Sequence, residues 1–534
     1  MTLLRVEGLR VGIHGAPILS DVSFAVEEGE VFGLVGESGS GKSMTALALM
    51  QLLPYGAAAS GRAAFGGRDL LSLSEREMCG VRGNDIGMIF QEPMTALNPV
   101  QTIGDQVAET LIVHGVSSRA DAARAARARL DRVGLPAADF PLGRYPHELS
   151  GGQRQRVCIA MAVALRPKLL IADEPTTALD VTTQAQILTL LKGLVREERM
   201  ALMLITHDLA VVAGLSDHVA VMREGRVVEA DRTEALFRTR GHPYTQKLFA
   251  ASEHAPQRAR MAKEMPLLSV EDVTRSYALP RVSFFAPPVP LNAVNGVTLT
   301  VRDGESVGLV GESGCGKSTL SRAILGLDPV QGGRILLDGE EVDGGGHLPD
   351  ALRRKMQVVF QDPYGSFNPR HRVGRLVAEP FHLYPGDLAD REARVGRALT
   401  DVGLTPADTS KYIHEFSGGQ RQRIAIARAL VTRPKLIVLD EAVSALDVSI
   451  RAQVLDLLAD LQARYGLSYL FISHDLHVVR AITDRVYVMR RGRIVEDGPT
   501  AEVFDAPRHE YTQELLAATP RIPADWHEGG RYGT

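Results

Sequence analysis

The chain has 534 residues, 45% of them hydrophobic and 23% charged, with a formal net charge of −4. That length exceeds what a single hydrophobic core sustains, so two or more domains are expected. The balance excludes a disordered chain and gives no basis for general nucleic-acid binding. Three cysteines, Cys79, Cys158 and Cys315, stand far apart in no metal-ligand spacing. They fit a reducing cytosol, and neither a disulfide scaffold, a zinc site nor an iron–sulfur cluster is expected. The first ten residues mix Leu and Val with Arg and Glu and do not read as a signal peptide. No charge-free apolar run approaches the ~20 residues that span a bilayer, so work at a membrane would require docking on another chain.

In chain order, the short apolar run Val31 to Val35 predicts a strand that enters Gly36-Glu37-Ser38-Gly39-Ser40-Gly41-Lys42-Ser43, followed by helical sequence from Met44 to Leu53. Glycines at such spacing let backbone N–H groups turn inward around phosphates, with the lysine reaching the β and γ oxygens and the hydroxyl binding Mg²⁺. Helical sequence around Ala122 to Gly134 follows, predicting a helical subdomain inserted into the core. Leu149-Ser150-Gly151-Gly152-Gln153 then precedes an apolar helix, and serine, two glycines and a helix N-terminus suit an anion. The continuous run Leu169 to Ala172 predicts a strand buried on both faces. It ends in Asp173-Glu174, where open α/β sheets place ligands. An isolated Asp-Glu pair would be a solvated turn; behind this strand it suits an Mg²⁺ ligand beside a general base. His207 follows in Ile205-Thr206-His207-Asp208.

The whole pattern then recurs. Strand residues Val307 to Val310 enter Gly311-Glu312-Ser313-Gly314-Cys315-Gly316-Lys317-Ser318, and Thr319 to Leu327 reads as helix. Phe416-Ser417-Gly418-Gly419-Gln420, Leu436 to Leu439 with Asp440-Glu441, and His474 repeat the later landmarks. Lys42 to Lys317 is 275 residues and Gln91 to Gln361 is 270; the serine, aspartate and histidine pairs are each 267 apart. So small a drift indicates duplication of one fold. The first copy is expected to span 1–251. Polar residues 252–266 form a linker, and the second copy spans 267–534, restarting at Leu267-Leu268-Ser269-Val270-Glu271 in echo of Leu3-Leu4-Arg5-Val6-Glu7. Cys315 lies near a helix N-terminus, where a thiol can be activated; a small residue tolerated in a loop is the plainer alternative.

On these motifs the chain resembles the ATP-binding-cassette family over nearly its whole length. The resemblance implies an α/β fold: two tandem P-loop NTPase domains, each with a RecA-like core, an antiparallel β subdomain and a helical subdomain. It implies ATP and Mg²⁺, sandwiched head to tail so that each site is completed by the other domain's signature. One site would join Gly36, Ser38, Gly39, Gly41, Lys42, Ser43, Met44, Gln91, Asp173, Glu174 and His207 with Ser417, Gly418, Gly419 and Gln420. The other would join Gly311, Ser313, Gly314, Gly316, Lys317, Ser318, Thr319, Gln361, Asp440, Glu441 and His474 with Ser150, Gly151, Gly152 and Gln153. Ser43, Gln91 and Asp173, and Ser318, Gln361 and Asp440, would hold the metal. Glu174, Glu441, His207, His474, Gln91 and Gln361 would be catalytic, and Asp180 and Asp447 would be D-loop residues. Tyr277 matches the adenine-stacking aromatic, whereas the first copy offers Ile13 beside His14, so weaker stacking there and unequal nucleotide affinity of the two sites are expected.

Two further segments resemble the peptide/nickel importer subfamily. They are the extended loops Gln91 to Pro99 and Gln361 to Pro369, and the closing motifs Gly241-His242-Pro243-Tyr244-Thr245 and Arg508-His509-Glu510-Tyr511-Thr512. The resemblance extends to fused ATPases of microcin/oligopeptide and glutathione import systems. It implies two transmembrane permease subunits, an extracytoplasmic substrate-binding protein, no nucleic acid, and a peripheral location on the cytoplasmic face of the inner membrane. The alternative is a soluble twin-cassette ATPase acting on ribosomes or DNA. The short linker and the absence of zinc-finger cysteines count against it.

Overall fold

In the computed structural model, residues 1–115, 118–177, 179–258, 262–278, 290–345, 348–362, 365–384, 390–444 and 446–526 are described, with the side chains of 93 and 94 left aside. The chain forms two compact units. The first comprises Met1–Leu179, Thr183–Glu253 and the stretch from Pro520; the second comprises Asp180–Thr182 and His254–Thr519.

The first unit is built on a six-stranded sheet in the order Arg226–Arg232, His218–Arg223, Val31–Val35, Ala201–Thr206, Leu169–Asp173, Ile86–Ile89. Five strands are parallel and the edge strand Arg226–Arg232 is antiparallel. Every residue of the three central strands is buried, as their unbroken apolar runs require of a sheet covered on both faces. A four-stranded antiparallel sheet has Thr2–Ile13 between Ala16–Glu27 and Ala57–Phe65, with the short Arg68–Asp69 at its edge. Helices Ile103–Val113, Arg119–Arg132 and Gly151–Ala162 form the helical part, closed by Ile103, Val107, Ala126, Leu130, Val157 and Ile159, all fully buried. Ile522 and Trp526 pack on this unit, Trp526 meeting Phe237 edge-on at 5.5 Å, and Arg238 pairs with Asp525 at 2.8 Å.

The second unit repeats this plan. Its six strands run Met356–Val359, Leu436–Asp440, Ser468–Ile472, Ser306–Val310, Arg485–Arg490, Arg493–Pro499, and its antiparallel sheet centres on Pro266–Ala278. Before that strand, His254 pairs with Asp456 at 2.7 Å and Arg258 with Asp484 at 3.0 Å, so these residues pack with the second unit.

Two helices stop short of their expected ends. The helix after the first loop covers Lys42–Leu49 rather than extending to Leu53. Gln51 turns left-handed (φ 49°), and its side-chain amide donates to the carbonyls of Leu70 and Leu73 at 2.6 and 3.0 Å. Lys317–Ile324 ends before the left-handed Gly326 (φ 67°), a helix-stopping geometry.

The antiparallel sheets carry matched irregularities. In the first unit the ladder slips between Val6 and Leu9, where Gly8 (φ 59°) donates its N–H to the Ser23 hydroxyl. In the second it slips between Val270 and Val273, where Asp272 (φ 50°) donates to Thr298. The facing position is also left-handed: Asp21 (φ 67°) in the first unit, Gly296 (φ 67°) in the second. Each copy therefore has one glycine and one aspartate here, with sides exchanged. A β-carbon on Gly296 would lie 2.9 Å from an Asp272 carboxylate oxygen. We expect Gly296→Asp to destabilise the protein by about 1–3 kcal/mol through left-handed strain and facing carboxylates. Adding Asp272→Gly reproduces the first copy's arrangement and should recover most of that loss. Thermal denaturation of both variants checks this, and a double variant no more stable than the single would contradict it.

Candidate functional site

In each unit a central strand delivers its chain end to a turn that tolerates no side chain. A β-carbon on Gly36 would lie 2.3 Å from the Met222 carbonyl oxygen, and one on Gly311 would lie 2.2 Å from that of Met489. Gly41 (φ 102°) and Gly316 (φ 112°) open the following helices. The loop thus folds back over its lysine. Lys42 is buried and donates to the carbonyls of Gly36 and Glu37 at 2.8 and 2.9 Å; Lys317 makes the same two bonds at 2.7 and 2.8 Å. Ser38, Gly39, Ser313 and Gly314 lie exposed at the loop tips, and Met44 and Thr319 are half-buried in the first helical turns.

The neighbouring strand brings in the acids. In the first unit Ser43 Oγ donates to Asp173 Oδ1 at 3.1 Å. Glu174 receives three contacts: Gln91 Nε2 at 3.0 Å and Thr177 Oγ1 at 2.9 Å on one oxygen, and His207 Nδ1 at 3.3 Å on the other. Six predicted residues (Lys42, Ser43, Gln91, Asp173, Glu174 and His207) therefore converge. In the second unit His474 Nδ1 lies 3.2 Å from Glu441 Oε1. Gln361 is exposed at the equivalent loop, as Ser318 is at its helix start.

Both glutamates adopt left-handed backbone, φ 47° at Glu174 and 50° at Glu441. Such a conformation costs of order 1–3 kcal/mol in a residue with a β-carbon. It is fastened by the Glu174 N–H donating to the Ile205 carbonyl at 2.9 Å and the Glu441 N–H to that of Ile472 at 2.8 Å. The turn throws the carboxylate sideways from the strand, toward the histidine, while the preceding aspartate stays in line with the strand.

The adjacent acids are driven apart electrostatically. Burial pushes Asp173 up to about 6, helped by the charge of Glu174 and opposed by Ser43 and Lys42. Burial would also raise Glu174, but the hydrogen bond and charge of His207, with Thr177 and Lys42, outweigh it and hold the carboxyl at about 2. The second pair follows suit. Burial raises Asp440, while His474 and Lys317 overcome burial to hold Glu441 below its usual range. In each pair burial disfavours charge on the aspartate, so a cation beside it would be favourable, while the glutamate is kept ionised. Serine hydroxyl, aspartate and glutamine oxygens are hard donors of the kind Mg²⁺ prefers, so the residues present fit that ion.

The signature residues sit on helix starts. Ser150 caps Gly151–Ala162, its hydroxyl accepting from Gln153 N–H at 3.3 Å while Gln153 Oε1 accepts from Ser150 N–H at 2.9 Å. Ser417 and Gln420 do the same at 3.4 and 3.0 Å before Gly418–Leu430. Glutamine thus completes a reciprocal cap. Gly152 and Gly419 are the tight positions, where a β-carbon would lie 2.3 Å from Thr183 Cγ2 and 2.5 Å from Ile450 Cγ2, respectively.

Strand register equates Tyr277, opposite Leu291, with Ile13, opposite Ala16. The Tyr277 ring is partly exposed, covered by Arg275 at 4.8 Å, and its hydroxyl donates to Asp328 at 3.3 Å. Ile13 meets instead a tight turn through His14 (φ 48°) and Gly15 (φ 84°). Cys315 is buried, and burial pushes its thiol up against the opposing Lys317. This favours the plainer reading, a small residue tolerated in the loop, because desolvation of the thiolate outweighs the nearby cation.

Three site residues had escaped sequence reasoning. Thr177, three residues after Glu174, bonds its carboxylate. Ser444 at the same spacing donates to the Glu441 carbonyl instead. The hydroxyl that opposes the rise of Asp440 belongs to the buried Ser321, one turn beyond Ser318.

A family model described as ABC transporter matches residues 19–177 and 294–444, and one described as the oligopeptide/dipeptide transporter C-terminal region matches 228–273 and 495–532. Over 531 residues the chain is 49% identical to the peptidoglycan transport ATP-binding protein YejF of Agrobacterium fabrum, covering 98% of this chain and 97% of that protein. It is 48% identical over 566 residues to the glutathione import ATP-binding protein GsiA of Escherichia coli K12, covering 97% and 89%. A solved bacterial ABC transporter cassette is similar over 44% of this chain and 98% of its own, at 28% identity and a TM-score of 0.39. With the phosphate loop, paired acids and histidine assembled in both units and the family model matching each, this chain belongs to the ABC transporter family, as an ATP-hydrolysing subunit with two cassettes in one polypeptide.

Proposed function

We propose that this chain powers an importer, most readily one for peptides, by ATP-driven closure of its two cassettes. The observation that carries the reading is the oligopeptide/dipeptide C-terminal match, present after both cassettes. The names of the relatives, one a peptidoglycan transporter and the other a glutathione importer, support the same class of cargo. No described helix is long and apolar enough to cross a membrane. The reading therefore places the chain on the cytoplasmic face of the inner membrane, docked on two permease subunits, with a substrate-binding protein delivering cargo from outside.

The chemistry assigned to each site follows from its geometry. Lys42 and Lys317, held at the carbonyls of Gly36 and Gly311, reach from there to the β and γ phosphates. Ser43, Asp173 and Gln91, with Ser318, Asp440 and Gln361, would hold Mg²⁺, whose charge offsets that of the triphosphate. Ser150-Gly151-Gly152 and Ser417-Gly418-Gly419 each complete the other cassette's site, as the family resemblance implies. Glu174, kept ionised, orients the attacking water and accepts its proton. A carboxylate held near 2 is a weak base, and His207 is the main influence that holds it there. When His207 turns to the γ-phosphate, Glu174 loses that partner and becomes more basic as water attacks. His474 and Glu441 repeat the arrangement.

Glu174→Gln and Glu441→Gln together should lower kcat for ATP hydrolysis about 10²-fold or more, with ATP affinity retained. Steady-state hydrolysis with nucleotide-retention measurements checks this, and a double variant of parental rate would refute the assigned roles. Affinity purification from its own cells should recover two multi-span membrane proteins with the chain. Recovery of ribosomes in their place would overturn the importer reading.

A further inference from the structure

The closing motifs around Tyr244 and Tyr511 have no part in the hydrolytic set, yet both are built to one plan. Each opens a helix, Pro243–Ser252 or Glu510–Ala518. Glu229 accepts from the N–H groups of Gly241 and His242 at 2.8 and 3.1 Å; Glu496 accepts from those of Arg508 and His509 at 2.7 and 3.1 Å. His242 Nδ1 and His509 Nδ1 each accept the tyrosine N–H at 3.1 Å. These bonds aim the tyrosine inward, where it is buried. An arginine from the neighbouring strand covers its ring, Arg223 at 5.2 Å and Arg490 at 4.6 Å.

The hydroxyl ends on the phosphate loop. Tyr244 Oη accepts the Glu37 N–H at 3.3 Å, and Tyr511 Oη accepts the Glu312 N–H at 2.9 Å. The peptide group that carries each N–H also carries the carbonyl of Gly36 or Gly311, and that carbonyl accepts the loop lysine at 2.8 or 2.7 Å. Tyrosine and lysine thus grip opposite ends of one peptide, and the two bonds polarise each other through it. Burial pushes both phenols above their usual range, so the hydroxyls stay neutral. Rotation of this peptide would carry the carbonyl away from the lysine, and the tyrosine opposes that rotation.

We propose that Tyr244 and Tyr511 are positioning residues for ATP hydrolysis, each holding the first peptide of its phosphate loop and so the point from which the lysine reaches nucleotide. The motif that closes each cassette is thereby part of its nucleotide site. The inference rests on the assignment of Lys42 and Lys317 as phosphate ligands.

Tyr244→Phe with Tyr511→Phe in the full chain keeps both rings and removes only the hydroxyls. KM for ATP should rise about three- to tenfold, the worth of one hydrogen bond, with kcat changed less than KM. Phe249→Leu, on the same helix but packed against Phe237, should lower Tm and leave KM as in the parent. The inference is overturned if the phenylalanine variant keeps the parental KM, if its kcat falls as far as its KM rises, or if Phe249→Leu moves KM equally. Lys42→Ala with Lys317→Ala, run alongside, separates the two levels. Parental ATP affinity there defeats the lysine assignment itself, whereas lost affinity there beside parental KM in the phenylalanine variant defeats only the role of the tyrosines.

Discussion

Each nucleotide site depends on one close approach of backbone to backbone. The loop entry at Gly36 or Gly311 presses on the last carbonyls of the neighbouring strand, at Met222 or Met489, with no room for a β-carbon. Because the chain cannot continue in line, it turns back over its lysine and starts a helix from a left-handed glycine. The strand that supplies this abutment also supplies, one residue later, the arginine that covers the tyrosine of the closing motif. Loop, strand end and closing helix are therefore one packed unit, and the acids on the adjacent strand meet a loop whose position is already set.

Much of this was legible in the sequence, because phosphate chemistry imposes local rules. A glycine-rich turn, a lysine and an apolar strand ending in two acids are short-range patterns, and their recurrence at near-constant offset exposed the duplication. The parallel strands were equally clear, since burial on both faces leaves an unbroken apolar run. What escaped depends on approaches between distant segments. Nothing near Tyr244 indicates that its hydroxyl meets Glu37, 207 residues away. The exchanged glycine and aspartate of the antiparallel sheets were invisible for the same reason, being a relation across a ladder. The early end of the first helix at Leu49 reflects a tertiary bond of the Gln51 amide that no propensity encodes.

The two copies share a scaffold but differ in the details around it. Thr177 bonds the first glutamate's carboxylate, whereas Ser444 bonds the second glutamate's backbone carbonyl. Ser40 buries a hydroxyl that has no partner among the described residues, and the second copy places Cys315 there, a residue that loses less on burial. Tyr277 offers a ring where Ile13 offers none. Such differences leave the acids and histidines unchanged while altering the surroundings on which nucleotide affinity depends.

The left-handed glutamates have an evolutionary corollary. Glycine or asparagine would occupy either position with less strain, so a cassette freed from the need to hydrolyse ATP could gain stability by abandoning the glutamate. Backbone strain at this position therefore counts against the glutamate, and the chemistry of turnover counts for it. Both cassettes of this chain carry that glutamate in its left-handed conformation.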